Sequence, residues 1–270
     1  MLRNIYVYIK YITIGSDELN IIKQNLDKEV NLFIPDDIEE IDFEDSLVIT
    51  DVPENEFKMQ AEACGKDSCE VKAAGFNTKP GEGYSYVCQT LDMGISYYRL
   101  VYARLTGEPF VVAETKNLLI REMTTKDLPE LYAVYSTLED CQYIEQLYDY
   151  DKELEFTKNL YGFFEYGLWL VFEKKSGELI GRAGIENREI DGVTCREIGY
   201  LIRRDMQHKG YAYEACQAIL EYASDELGIQ EMFAVIDKTN EPSRKLAQKL
   251  GFELYAQTDG GPDLYKFVFG

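Results

Sequence analysis

The stretch Glu197–Leu220, EIGYLIRRDMQHKGYAYEACQAIL, leaves the chain few ways to fold. Glu197–Ile202 reads as a buried strand. Polar residues then turn the chain through Gln207-His208-Lys209-Gly210-Tyr211-Ala212. From Ala212 on, apolar residues recur at Ala215, Cys216, Ile219, Leu220 and Ala223, which is helical spacing. A strand, a glycine-bearing turn and a helix in this order bring a helix N-terminus to a strand end. The first N–H groups of such a helix lack intrahelical acceptors and carry partial positive charge. The end therefore suits a phosphate without needing a basic side chain.

The 270 residues, 46% of them hydrophobic, suffice for one large domain or two small ones. A formal charge of -21 argues against nucleic acid, whose phosphates are held mainly by Lys and Arg, and against an anionic membrane surface. The six cysteines, at 64, 69, 88, 141, 195 and 216, form no C-x-x-C pair and no zinc spacing, so no metal site is expected. Met1–Ile14 is apolar but contains Arg3 and Lys10 and lacks a small-residue cleavage site. No run nears the roughly 18 apolar residues of a membrane span. A cytoplasmic protein with reduced thiols is the expectation.

Residues 1–115 alternate between strands (Ile5–Ile14, Asn31–Ile34, Ser46–Thr50, Tyr84–Cys88) and helices (Asp17–Leu26, Pro53–Cys64, Ile95–Leu105). That alternation predicts a small α/β domain with a mostly parallel sheet. The run L-V-I-T-D, with a helix closing on A-E-A-C-G, loosely resembles the second half of a haloacid-dehalogenase-like domain. In that family Asp51 would help to hold magnesium. The first strand, however, offers no aspartate as nucleophile. The resemblance thus implies a degenerate, non-catalytic domain in which Asp51 is a capping or structural residue.

A boundary near Glu114–Asn117 opens a second domain, residues 116–270. It begins with a strand, Leu118–Glu122, and a helix with Leu128, Leu131, Tyr132 and Tyr135 on one face. A helix over 152–164 and the antiparallel pair Leu168–Glu173 and Glu178–Asn187 follow. Asp191-Gly192 turns the chain into the strand at Glu197. Beyond the long helix come a strand, Met232–Asp237, a helix starting at Asn240-Glu241-Pro242-Ser243, and a C-terminal hairpin.

This order resembles the GNAT N-acetyltransferase family, nearest its RimJ/RimL-like branch, over residues 117–270. The signature Q/R-x-x-G-x-G/A stands here as Gln207-x-x-Gly210-x-Ala212, with E-I-G-Y-L-I ahead of it and N-E-P-S-R-K-L-A-Q-K-L-G-F beyond. The resemblance implies a central mixed, mostly antiparallel sheet flanked by helices, with acetyl-CoA as co-substrate. N–H groups from His208, Lys209, Gly210, Tyr211 and Ala212 would hold its pyrophosphate, with Gln207 opening the turn. Leu201, Ile202 and Arg203 would offer a strand edge to the pantetheine arm beside a splayed Phe233–Ile236, and Asn240 and Ser243 would touch that arm. The implied reaction is direct attack of a primary amine, from a small molecule or a peptide N-terminus, on the thioester.

Glu197 either takes the amine's proton or pairs structurally with Arg182 or Arg196, while the Leu201 N–H would polarise the carbonyl. Where many members carry a tyrosine that protonates the leaving thiolate, this chain has Ala247. Tyr200, Tyr211, Tyr255 and solvent remain open as substitutes. His208 is expected to make a structural or cofactor contact rather than to act in acid–base chemistry. Asp140–Asp151, with Tyr143, Glu145 and Tyr148, is either an acceptor site suited to a cationic amine or a solvated acidic loop. The alternative function is a non-catalytic acyl-CoA sensor or interaction module.

Overall fold

The fully apolar core of Ser46–Thr50 becomes a strand buried at every residue, as a strand covered on both faces must be. The computed structural model describes residues 1–26, 28–67, 70–78, 83–138, 166–190, 193–257 and 261–270. Among them the chain forms two compact units, Met1–Phe110 and Val111–Gly270.

The first unit runs β1 (Asn4–Tyr8), α1 (Ser16–Asn25), β2 (Asn31–Phe33), β3 (Ser46–Thr50), α2 (Glu54–Ala63), β4 (Ala73–Phe76), β5 (Val87–Cys88) and α3 (Ile95–Thr106). Its sheet has the order β2-β1-β3-β4-β5 and every pair is parallel. The mostly parallel sheet read from the alternation is therefore present. Strand β1 stops well short of Ile14. The reason is Asp51, whose carboxylate accepts the N–H groups of Lys10, Tyr11 and Ile12 at 2.7 Å each. In doubly wound sheets the crevice where the winding reverses, here between β1 and β3, is the usual ligand position. In this unit the Asp51 carboxylate and the loop it binds span that crevice.

The second unit runs β6 (Val111–Glu114), β7 (Leu118–Arg121), α4 (Leu128–Ser136), β8 (Leu168–Glu173), β9 (Leu179–Ile190), β10 (Val193–Ile202), α5 (Tyr211–Asp225), β11 (Glu231–Ile236), α6 (Glu241–Lys249), β12 (Glu253–Ala256) and β13 (Asp263–Val268). The eight strands lie in the order β12-β13-β11-β10-β9-β8-β7-β6. All neighbours are antiparallel except β10 and β11. Strand β6, which the sequence places in the first domain, pairs with β7, so the division falls after Phe110.

Both faces of the central strands are covered. Trp169, Ile185 and Ile198 pack with Ala215, Cys216 and Ile219 of α5. On the other face Leu131 and Tyr135 of α4 pack with Leu170 and Leu179. Glu214 ties the start of α5 to the β6–β7 turn, accepting from Thr115 Oγ1 (2.6 Å), Asn117 N–H (2.8 Å) and Asn117 Nδ2 (2.8 Å). Burial alone would raise its pKa, but these bonds outweigh burial and hold it below the usual carboxylate range. No helix among the described residues is long and apolar enough to cross a membrane.

Candidate active site

Parallel strands β10 and β11 meet at one register position, Glu197 against Phe233, and then part. The gap widens into a groove of about 490 Å³. Its walls are the end of β10, the turn after it, the first turn of α5, one side of α6 from its cap to Lys249, and Leu138. Two left-handed residues shape the turn, His208 (φ 61°) and Gly210 (φ 89°). A Cβ on Gly210 would meet nothing within 4 Å. Glycine is thus favoured there by its backbone angle rather than by crowding.

The Gln207 side chain donates from Nε2 to the Ile202 carbonyl at 2.9 Å, strapping the turn to the strand end. The first intrahelical bond of α5 runs from Glu214 N–H to Gly210 O (3.0 Å). The N–H groups of Tyr211, Ala212 and Tyr213 therefore have no acceptor inside the helix, and this positive end lines the groove. Across it, Asn240 caps α6 by accepting the Ser243 N–H at 3.2 Å. This leaves the Asn240 amide nitrogen to donate elsewhere.

Of the residues named from sequence, Leu201, Ile202, Gln207, His208, Gly210, Tyr211, Ala212, Asn240 and Ser243 line this groove. Arg203 and Lys209 do not. The Arg203 guanidinium is held by Glu178 (2.8 Å) and Asp205 (2.7 Å), and the Lys209 ammonium rests on Met206 Sδ (3.1 Å). Strand alternation also changes which backbone groups are available. The Arg203 N–H donates to Ile180 O at 2.7 Å, toward β9. Leu201 shares that orientation; a Cβ on Gly181 of β9 would lie 2.2 Å from its carbonyl oxygen. The main-chain groups turned into the gap belong to Tyr200 and Ile202, so the Leu201 N–H is not positioned there.

Glu197 is buried at the vertex where the strands part. Its Oε1 accepts the Val235 N–H at 3.3 Å and its Oε2 accepts from Arg188 Nε. The partner is neither Arg182 nor Arg196. Glu197 stands opposite Glu186, so Arg188 is the diagonal neighbour on the same face. Arg196, one residue away, points to the other face, and Arg182 donates to the Tyr135 hydroxyl. Burial raises the Glu197 pKa; Arg188 opposes the rise and Glu186 adds to it. A carboxylate moved toward neutrality is a better base for an amine than an ordinary one.

Sequence reasoning missed the Glu186–Arg188 pair beside Glu197. Counting outward from Val193 opposite Ile190 would have found it. It also missed Lys249, which lines the groove with its ammonium 4.0 Å from the centre of the Tyr213 ring; nothing in the sequence marks this lysine. Ala247, at the family's tyrosine position, is buried in the core. Tyr143, Glu145 and Tyr148 lie outside the described residues.

The profile of a family described as Acetyltransferase (GNAT) domain matches residues 117–253. The uncharacterized protein YkkB of Bacillus subtilis is 33% identical over 130 residues, 48% of this chain and 72% of its own length. The uncharacterized N-acetyltransferase YnaD of the same organism is 33% identical over 139 residues, 51% of this chain and 79% of its own. A solved RimL, a ribosomal L7/L12 alpha-N-protein acetyltransferase, has a TM-score of 0.51 at 15% identity, covering 60% of this chain and 96% of that one. At that identity the likeness is one of fold. The profile lies wholly in the second unit, and the dehalogenase-like resemblance of the first finds no support in these matches.

Proposed function

The chain belongs to the GNAT acetyltransferase domain family, and on that premise we propose that it transfers the acetyl group of acetyl-CoA to a primary amine by direct attack. The groove is the observation that carries this reading. It joins a parted strand pair, a left-handed turn and a free helix N-terminus in one continuous cleft.

Acetyl-CoA supplies a thioester carbonyl that an amine can attack. The chain's own task is to hold it, orient the amine and remove a proton. The N–H groups at the start of α5 would receive the pyrophosphate. The main-chain groups of Tyr200, the Ile202 N–H and the Asn240 amide would receive the amide-bearing arm. Lys249 at the groove would meet the outer phosphate. An alkyl ammonium of pKa near 10 must lose a proton before it attacks, and Glu197, with its raised pKa, takes it. Glu186 and Glu197 give the same sheet face two carboxylates, which favours a cationic acceptor. A peptide N-terminus, the acceptor type in the name of the RimL protein, and a small polyamine both meet that description.

Calorimetric titration with acetyl-CoA is expected to show saturable one-site binding in the range of about 1 μM to 1 mM, where enzymes commonly hold their substrates. No heat of binding at millimolar acetyl-CoA would remove the groove reading.

A further inference from the structure

The first sheet ends at β2, and among the described residues no strand pairs with its outer edge. The Asn31 N–H donates to the Arg3 carbonyl, toward β1, at 2.8 Å. Alternation therefore turns the N–H and C=O of Leu32 away from β1, to the open side. The side chains beside that edge are apolar and exposed. Phe33 stacks on Tyr6 with ring centres 4.8 Å apart yet remains 43% exposed, and Ile34 is 48% exposed. An open edge is a template for another strand, and proteins commonly blunt it with lysine or proline. Strand β2 contains neither, and Pro35 follows only after Ile34.

Directly beyond this edge the chain runs through Asp36–Asp45, which holds seven carboxylates and no Lys or Arg. Asp45 is paired with the Arg3 guanidinium at 3.2 Å. Asp36, Asp37, Glu39, Glu40, Asp42 and Glu44 are exposed, and none forms an ion pair among the described residues. Their placement is fixed from beneath. Ile38, Ile41 and Phe43 anchor the segment in the core, and the Asp37 and Asp42 carboxylates accept the Glu39 and Glu44 N–H groups at 3.1 Å each. The open edge thus carries an apolar pair and a held rim of uncompensated negative charge.

We propose that the edge of β2 docks an extended basic peptide by strand addition. The Leu32 main-chain groups set its register, Phe33 and Ile34 receive its apolar side chains, and the carboxylate rim receives its cations. Charge decides between the possible occupants. Two copies of this chain paired through β2 about a twofold axis would bring their rims together, on chains that each carry a formal charge of -21. A basic peptide meets the same backbone and apolar groups and relieves the repulsion. The edge is short, so the affinity is that of transient recognition. Nothing in this inference depends on acetyl transfer.

The probe is a short N-acetylated peptide of alternating Arg and Val, which has no primary amine and so cannot serve as an acetyl acceptor. Titrated against the full chain at low salt, it should bind at one saturable site with a Kd of about 1 to 100 μM. Raising the salt to about 0.5 M should weaken it roughly tenfold or more. Amide exchange at Leu32 should slow in the complex, and a peptide of alternating Glu and Val should not bind. Ile34→Lys, a change at an exposed side chain, should keep the melting temperature and weaken the Arg-Val peptide about tenfold or more. Leu32→Pro removes an N–H that faces away from β1 and should weaken it about two- to tenfold. If Leu32→Pro does not fold, Ile34→Lys and the exchange measurement decide. Absence of binding, equal binding by wild type and Ile34→Lys, or binding without slowed exchange at Leu32 overturns the inference. A concentration-dependent wild-type dimer that Ile34→Lys abolishes would assign the edge to a second copy and overturn it as well.

Discussion

Glu197→Gln is expected to lower kcat/KM by about 10²- to 10⁴-fold, the range over which a positioned base contributes. Glutamine keeps an oxygen for the Val235 N–H, so the vertex of the gap retains its backbone bond. What it loses is the ability to take a proton. The pH profile gives the sharper test. Burial, reinforced by Glu186 and opposed by Arg188, raises the Glu197 pKa. The base acts when deprotonated, so activity should climb with pH through a limb above the ordinary carboxylate range. Below that limb the rate should fall tenfold per pH unit. In Glu197→Gln the limb should vanish. A variant with the wild-type rate and limb would make Glu197 the structural partner of Arg188 and nothing more.

The first unit should respond as strongly to a single oxygen pair. Asp51→Ala removes the acceptor for three N–H groups at 2.7 Å. Bonds to a charged acceptor contribute about 1.5–3 kcal/mol each, though not additively. A loss of about 4 kcal/mol or more is expected, a large part of the 5–15 kcal/mol that typically holds a domain together. Denaturant unfolding measures it, and amide exchange at Lys10, Tyr11 and Ile12 should accelerate with it. Asp51→Asn, which keeps one acceptor oxygen, should cost less. An unchanged midpoint in Asp51→Ala would show that the loop after β1 is held by something other than this carboxylate.

The parts of the fold legible in sequence were those written locally. Apolar spacing, the glycine of the turn and the Asn-Glu-Pro-Ser helix start each act within a few residues, and they delivered β10, α5 and α6 with the groove between them. Contacts across distance in sequence were less visible. Asp51 binds a loop some forty positions earlier, so periodicity could not show why β1 ends at Tyr8 rather than Ile14. Strand β6 falls within the span 1–115 given to the first domain but pairs with β7, since an edge strand's sequence does not name its partner. The Arg188 ion pair lay between these cases, readable once the hairpin register is counted. The backbone groups assigned to Leu201 and Arg203 failed on parity: a strand's alternation is visible in sequence, but its phase is not.

Amine-dependent release of CoA thiol from acetyl-CoA is the decisive measurement of acetyl transfer. The assay would use the full chain with a panel of polyamines, aminoglycosides, amino acids and peptide N-termini. At least one cationic primary amine is expected to accelerate release above the hydrolytic background, with an acetylated amine formed in equal amount. Saturable acetyl-CoA binding with no amine-stimulated release across the whole panel would contradict it and leave a protein that binds the acyl donor without using it.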